Sequence, residues 1–399
     1  MRLLKFFGVF LLTAIVVFGF VFGLNWKSFT TFFDNREAMI EGNEWVHKTN
    51  SLKGLSEYMG ANPEHASVAS IVISNPDSSI YFRENTPRTM GTTSNIFILI
   101  AYSMKIESGE LNENEPILWE DISRFQLPGI DESVHNEAYR AADNRGWIDV
   151  NEAISMNHAL KLLAEFNPIS LSDYLWWNIS PEIWNEIPEA FNLENTEMPL
   201  PFSGLYIAIS PGIQESTNQE ILDHNKSLSE SEWREKVANF SDEYANNSDR
   251  RDFITSYISR NRLGNTFIEE RDAMILFPKT TAREITSVLQ TIVSNQFSDE
   301  KVSERIKNYL RWPMERQSGI ERDFEDYGSL YENRMGLLAG IDFGVSAYTG
   351  DTTVQALFLD QLPIGFWFHA SGGHMHQDLM QRLIFDPAMI EQMKYAVKE

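Results

Sequence analysis

The sequence predicts an α+β fold: an antiparallel sheet built from strands near both ends of the chain, packed with helices, plus an all-helical lobe, all behind one transmembrane helix. Three observations predict it. Short β-branched stretches near residue 70 return only after about residue 328. Between them lie helical periodicities separated by polar, Asn-rich connections. Ahead of both, an apolar run from Phe6 to Leu24 follows Arg2 and Lys5.

Nineteen residues in a helix, Phe6 to Leu24, reach about 28 Å, enough to cross a bilayer core. No small-x-small cleavage pattern follows Leu24, and Trp26 suits the far interface, so an uncleaved anchor over 1–29 is expected. The positive-inside bias places the N-terminus in the cytoplasm and the rest on the far side, which in a bacterial cell is the periplasm. Residues 30–64 are polar and mixed and read as a juxtamembrane stalk or helix. A globular domain is expected over 65–399, with its helical lobe at about 110–275.

Within that domain, Ser67–Ser74 and Ile80–Arg83 flank the turn-forming stretch from Asn75 to Ser79 and predict a hairpin. From Thr92 to Gly109 the pattern is helical, with Ile96, Leu99, Ile100, Ser103 and Met104 on one face and Gly109 as the stop. A helix follows over Asn151–Phe166, and Thr281 with Glu284 has capping-box spacing at the start of another. The stretch 212–265 is very polar and reads as exposed helices or an insertion. Strands are expected at Ser329–Met335, Phe343–Thr349, Thr353–Leu359 and Ile364–Ala370, with a turn at Gln361-Leu362-Pro363 and a closing helix from about Gln377.

The formal charge of -24 disfavours nucleic acid and anionic lipid headgroups as partners. With no cysteine, the chain has no disulfide, thiolate metal site, thiol nucleophile or lipoprotein cysteine. His374 and His376 with Asp378 in a Gly-rich turn could suggest a metal, but two histidines two residues apart are commonly just polar loop, and no metal is expected. Nor does any Gly-rich loop suggest a nucleotide, so no cofactor is expected. The dense aromatic run Tyr174, Trp176, Trp177, Trp184 and Phe191 reads first as core packing, with an exposed contact patch as the other reading.

Three local stretches and their order carry a family resemblance. Met90-Gly91-Thr92-Thr93-Ser94-Asn95-Ile96-Phe97 runs in from the hairpin and out through Ile106-Glu107-Ser108-Gly109-Glu110-Leu111. Ile169-Ser170-Leu171-Ser172-Asp173-Tyr174 follows a helix, and Asn333-Arg334-Met335-Gly336 precedes the last strands. Together with Thr280-Thr281-Ala282-Arg283, the arrangement resembles that of the serine β-lactamases and penicillin-binding proteins over roughly residues 65–390. A stretch from about 178 to 275 has no counterpart in the family spacing.

The resemblance assigns the nucleophile position to Thr92, with Ser94 as an alternative, and the lysine position to Asn95. Ser172, Asp173 and Tyr174 stand where the family has Ser-Asp-Asn, and Arg334, Met335 and Gly336 where it has Lys-Thr-Gly. Tyr174, Arg334 and Gly336 would then face a substrate. The departures matter chemically, because a neutral amide at 95 supplies neither a positive field nor a base, and the threonine adds a methyl group beside the attacking oxygen. Arg334 retains a charge able to grip a carboxylate. On a purely structural reading Thr92 and Asp173 are helix caps and Arg334 a solvated strand charge. A different solution, with Glu189 or Asp173 as base, has no support in the spacing.

The expected function is a membrane-anchored, periplasm-facing scaffold or binding component with a disabled site, engaging an envelope protein or a peptidoglycan-like ligand. The rival is an active envelope hydrolase (peptidase, esterase or amidase) with an altered proton relay. A third reading is an unrelated mixed fold, in which Thr92, Ser172 and Arg334 would not converge.

Overall fold

The computed structural model describes residues 33, 35–297, 299–315 and 328–398, with residues 314 and 315 by backbone only. The run from Phe6 to Leu24 lies outside these residues. Among the described residues no helix is long and apolar enough to cross a membrane.

The architecture is organised by one antiparallel five-stranded sheet. Its strands are β1 (Ala66–Val72), β2 (Ile80–Phe82), β7 (Gly328–Arg334), β8 (Leu337–Val345) and β9 (Thr352–Leu359), in the order β2-β1-β9-β8-β7. Four strands lie between β2 and β7 in sequence and form no part of this sheet. The short β3 (Arg88–Thr89) pairs with β6 (Lys279–Thr280), and β4 (Pro116–Leu118) pairs with β5 (Ala153–Ser155). The register Val68↔Leu357 and Gly340↔Leu357 joins the two ends of the chain through β9.

Strand alternation sorts the sheet's side chains onto two buried faces. Ala69, Ile341, Phe343, Val354 and Phe358 face the helices Asn95–Glu107, Ala282–Val293 and Glu300–Glu315. Val68, Leu338, Leu357 and Leu359 face Leu55, Met59, Phe366, Leu379 and Leu383 of the opposite layer. Burial on both faces is why β8 and β9 carry nearly continuous apolar runs rather than alternation. The Asn95–Glu107 helix is enclosed similarly: every residue from Asn95 to Ser103 is buried, so the single apolar face expected for it becomes burial all round.

Several boundaries differ from expectation for local reasons. The 92–109 segment opens as a 3-10 turn over Gly91–Ser94 before the α-helix begins. The helix expected from Asn151 begins at Met156, because Ala153–Ser155 pairs with β4 and Ser155 caps the helix. Strand β8 begins at Leu337, six residues before the expected Phe343, since Met335-Gly336 makes a tight hairpin with Gly336 at φ 73°. Ile364–Ala370 is not a strand but part of a helix, Ile364–Gly372, begun after Pro363. A short, wholly apolar run fits a buried helix as well as a buried strand. Thr281 does cap its helix, yet Glu284 does not reach back to it; it reaches across to the backbone of Glu194 and Asn195.

The segment read as a stalk is built into the body. Helices Arg36–Ile40, Asn43–Lys48 and Leu52–Ala61 bury Ala38 against Phe267 and Ile364, and Leu55, Tyr58 and Met59 beneath the sheet. Asn35 Oδ1 accepts from the Phe267 N–H at 2.6 Å, and Glu41 pairs with Arg271 at 2.8 Å.

The polar stretch without a family counterpart forms helices Asn218–Ser227, Glu230–Asn246 and Ser248–Asn261. Val237, Tyr244, Ile254 and Ile258 of these helices join a core with Leu205 and with Leu127, Ile130 and Ile169 of the rest of the lobe. The aromatic run ties this core to the parent lobe. Trp176 Nε1 donates to the Pro199 carbonyl at 2.9 Å and Trp177 Nε1 to Ser241 Oγ at 3.0 Å, while Trp184 and Phe191 are buried.

Candidate active site

Three of the side chains singled out in the sequence meet beside the outer flank of β7. Thr92 lies in the 3-10 turn and Asn95, three residues on, opens the following helix, so both face the same way. Ser172, on helix Ile169–Trp177, donates from Oγ to Asn95 Oδ1 at 2.6 Å. Asn95 Nδ2 donates to Asn167 Oδ1 at 3.0 Å, and Asn167 Nδ2 donates in turn to the Tyr331 carbonyl at 3.2 Å. The same carbonyl accepts from Thr92 Oγ1 at 3.4 Å. Thr92, Asn95 and Ser172 thus belong to one continuous network through Asn167 and the backbone of β7.

Arg334 joins this network by a different route. Glu332 and Arg334 share a face of β7 with Leu330, because they are two and four residues on from it. Glu332 Oε2 accepts from the Thr92 N–H at 2.7 Å, and Arg334 Nε lies 3.5 Å from Glu332 Oε1. Arg334 Nη1 donates to the Ile130 carbonyl at 2.9 Å. The cation is therefore paired with groups of the chain itself. Gly91 makes the approach of Glu332 possible. Its φ of 56° suits glycine, and a Cβ there would collide with Glu332 Cγ and lie 2.7 Å from Leu337 Cδ2.

The remaining predicted positions lie apart from this centre. Asp173 points into the protein and accepts from the Phe202 and Ser203 N–H groups at 2.5 and 2.7 Å, holding the N-terminus of helix Phe202–Ala208. Burial pushes its carboxyl up to about 7 despite those hydrogen bonds. Tyr174 packs, half-buried, against the large core. Gly336 sits in the β7–β8 turn with the Arg271 side chain over it, where a Cβ would lie 2.5 Å from Arg271 Cγ. Ser94 is buried in the same turn as Thr92. His376 is buried whereas His374 and Asp378 are exposed, so the three do not converge.

The polar groups of this centre are engaged with one another. The Thr92 hydroxyl donates to a carbonyl, which cannot take its proton. Asn95 stands where a cation would be needed, with its amide committed on both sides. The N–H beside the nucleophile position normally receives the developing oxyanion, and here it already serves a carboxylate. Thr92 is 4% exposed and Glu332 3%. Glu332, Asn167 and Tyr331 escaped the sequence reading. Asn167-Pro168, after a helix, hinted at a left-handed cap, which it is, with φ 52°. Nothing local marked Glu332.

A serine–histidine contact lies outside this centre. Trp119 Nε1 donates to His135 Nε2 at 3.1 Å, which leaves the Nδ1 proton to face Ser170 Oγ at 2.8 Å. A histidine that donates to the hydroxyl cannot act as its base. Asp131 accepts from the Ile169 and Ser170 N–H groups at 3.0 Å each and so caps that helix.

No protein-family model matches the sequence, and no curated protein does either. Solved structures do. A β-lactamase from Sphaerobacter thermophilus superposes with a TM-score of 0.50 at 10% identity, covering 83% of this chain and 96% of that one. A β-lactamase from Chitinophaga pinensis gives 0.47 at 9% identity, covering 87% and 99%, and the protein titled PBP-A gives 0.43 at 9%, covering 84% and 97%. The first of these carries the likeness: the chain has the fold of the serine β-lactamases.

Proposed function

We propose that this protein is an envelope scaffold or binding component: a β-lactamase fold, anchored by its Phe6–Leu24 segment and facing the periplasm, whose acyl-transfer centre is closed by its own residues. The observation that carries this reading is the 2.7 Å hydrogen bond from the Thr92 N–H to Glu332, made where an oxyanion would form. The amide at Asn95 supports it, because no ammonium group stands one turn beyond the hydroxyl. The charge of -24 favours a protein partner with a basic face, or a peptidoglycan-like peptide held without turnover, over any nucleic acid.

The test is covalent labelling. The full-length chain, extracted in mild detergent, is incubated with a fluorescent penicillin and separately with a fluorophosphonate, then read by intact-mass spectrometry. No adduct is expected with either. Stoichiometric acylation of Thr92 or Ser94 would instead establish the rival, an active hydrolase with an altered proton relay.

A further inference from the structure

Beneath the sheet, on the face away from Thr92, four polar atoms are buried without a hydrogen-bond partner: Asp342 Oδ1, Gln355 Oε1 and both ring nitrogens of His376. They belong to one place. Asp342 and Gln355 are direct cross-strand partners of β8 and β9, so their side chains leave the same face. Gln355 Nε2 donates to the Met380 carbonyl at 2.6 Å, which puts the amide against helix Met375–Phe385, one turn along from His376. Tyr331 borders the same place: its hydroxyl donates to Asp342 Oδ2 at 2.9 Å and its ring meets the His376 ring edge-on at 5.6 Å.

An orphaned buried donor or acceptor costs about 1–3 kcal/mol, and four in one locus point to an unseen partner. A neutral imidazole offers one donor and one acceptor, the amide an acceptor, and the carboxyl an acceptor or a donor. That mixture matches water, which both donates and accepts and settles in polar, enclosed spaces with two to four partners. A metal fits less well, since Tyr331 already occupies one carboxyl oxygen and among the described residues no group of three or more His, Cys, Asp or Glu side chains could hold an ion. We propose that this space between the sheet and helix Met375–Phe385 is a closed hydration site, in which at least one ordered water bridges Asp342 and Gln355 to His376. Burial also keeps the imidazole uncharged, holding it down to about 3, and pushes Asp342 up to about 7.

The site bears on the candidate centre through one residue. Tyr331 directs its side chain into the hydrated space and its carbonyl to Thr92 and Asn167. The water therefore helps to position the flank of β7 that Thr92 faces, whether or not Thr92 is reactive.

A high-resolution crystal structure of the full-length chain should show water density within hydrogen-bond reach of Asp342 Oδ1 and of one His376 ring nitrogen. An empty space with the four atoms paired to protein groups overturns the proposal. So does density at about 2.0–2.2 Å from these atoms, the distance of a metal. In solution, ¹⁷O relaxation dispersion on wild type and His376→Leu should show loss of at least one long-lived water in the variant. An unchanged number of long-lived waters in a folded variant counts against it.

Discussion

At the scale of single residues, close approach explains most of the fixed positions. Gly340 lies under the Tyr331 ring, and a Cβ there would stand 2.6 Å from Tyr331 Cδ1 and 2.7 Å from Met380 Sδ. Gly340→Ala should destabilise the fold by about 1–3 kcal/mol through overpacking, read as a lower urea midpoint at unchanged slope. Asn95→Lys would insert an ammonium group between Asn167 and Ser172 in a fully buried place. We expect it to lower stability and not to restore penicillin acylation while Glu332 holds the Thr92 N–H; intact mass after incubation checks this. Thr92, Asn95 and Ser172 were legible because the stretches that carry them resemble, in order, those of the serine β-lactamases. Glu332 and Asn167 were not, because their roles come from strand register and from the place where a helix happens to end.

Among the elements, two buried aspartates work in series. Asp131 holds the start of helix Ile169–Trp177, and Asp173 on that helix holds the start of Phe202–Ala208. Asp173→Ala should cost about 1–2 kcal/mol at neutral pH by leaving two N–H groups unpaired. Burial raises Asp131 to about 6 and Asp173 to about 7, above the unfolded value of about 3.9. The folded state then binds more protons than the unfolded one between about pH 4 and 7. The contribution of these two groups to stability is fully present below pH 4 and is lost as the pH rises to about 7. Asp173→Asn should make that fall shallower in urea titrations; a slope identical to wild type contradicts the assignment. The sequence did allow a capping role for Asp173, but its recipient helix, thirty residues on, could only be seen in the fold. Ile364–Gly372 was misread for the opposite reason: its apolar run carried no period to distinguish helix from strand.

Across the whole molecule, a sheet shared by strands from both ends of the chain and a helical middle were readable because β-branched runs and helical periods alternate along the chain. How the polar helices pack was not readable, because it depends on a close helix crossing and on the Trp176 and Trp177 hydrogen bonds. A Cβ at Gly204 would strike the Val237 carbonyl, so helix Phe202–Ala208 and helix Glu230–Asn246 meet backbone to backbone. Gly204→Val should prise them apart. Amide exchange in both helices should then quicken while β8 and β9 stay protected, and a uniform change across the protein would show that the insertion is not a separate opening unit.

Strand β7 ends the sheet, and a terminal strand ordinarily offers its unpaired backbone to any extended chain that comes alongside. Here the Tyr331 carbonyl, the group such a visitor would need, is shared by a threonine hydroxyl and an asparagine amide. At the opposite end β2 is only three residues long. An extended chain laid alongside β7 would therefore find this backbone acceptor, the Tyr331 carbonyl, already engaged by side chains of the protein itself.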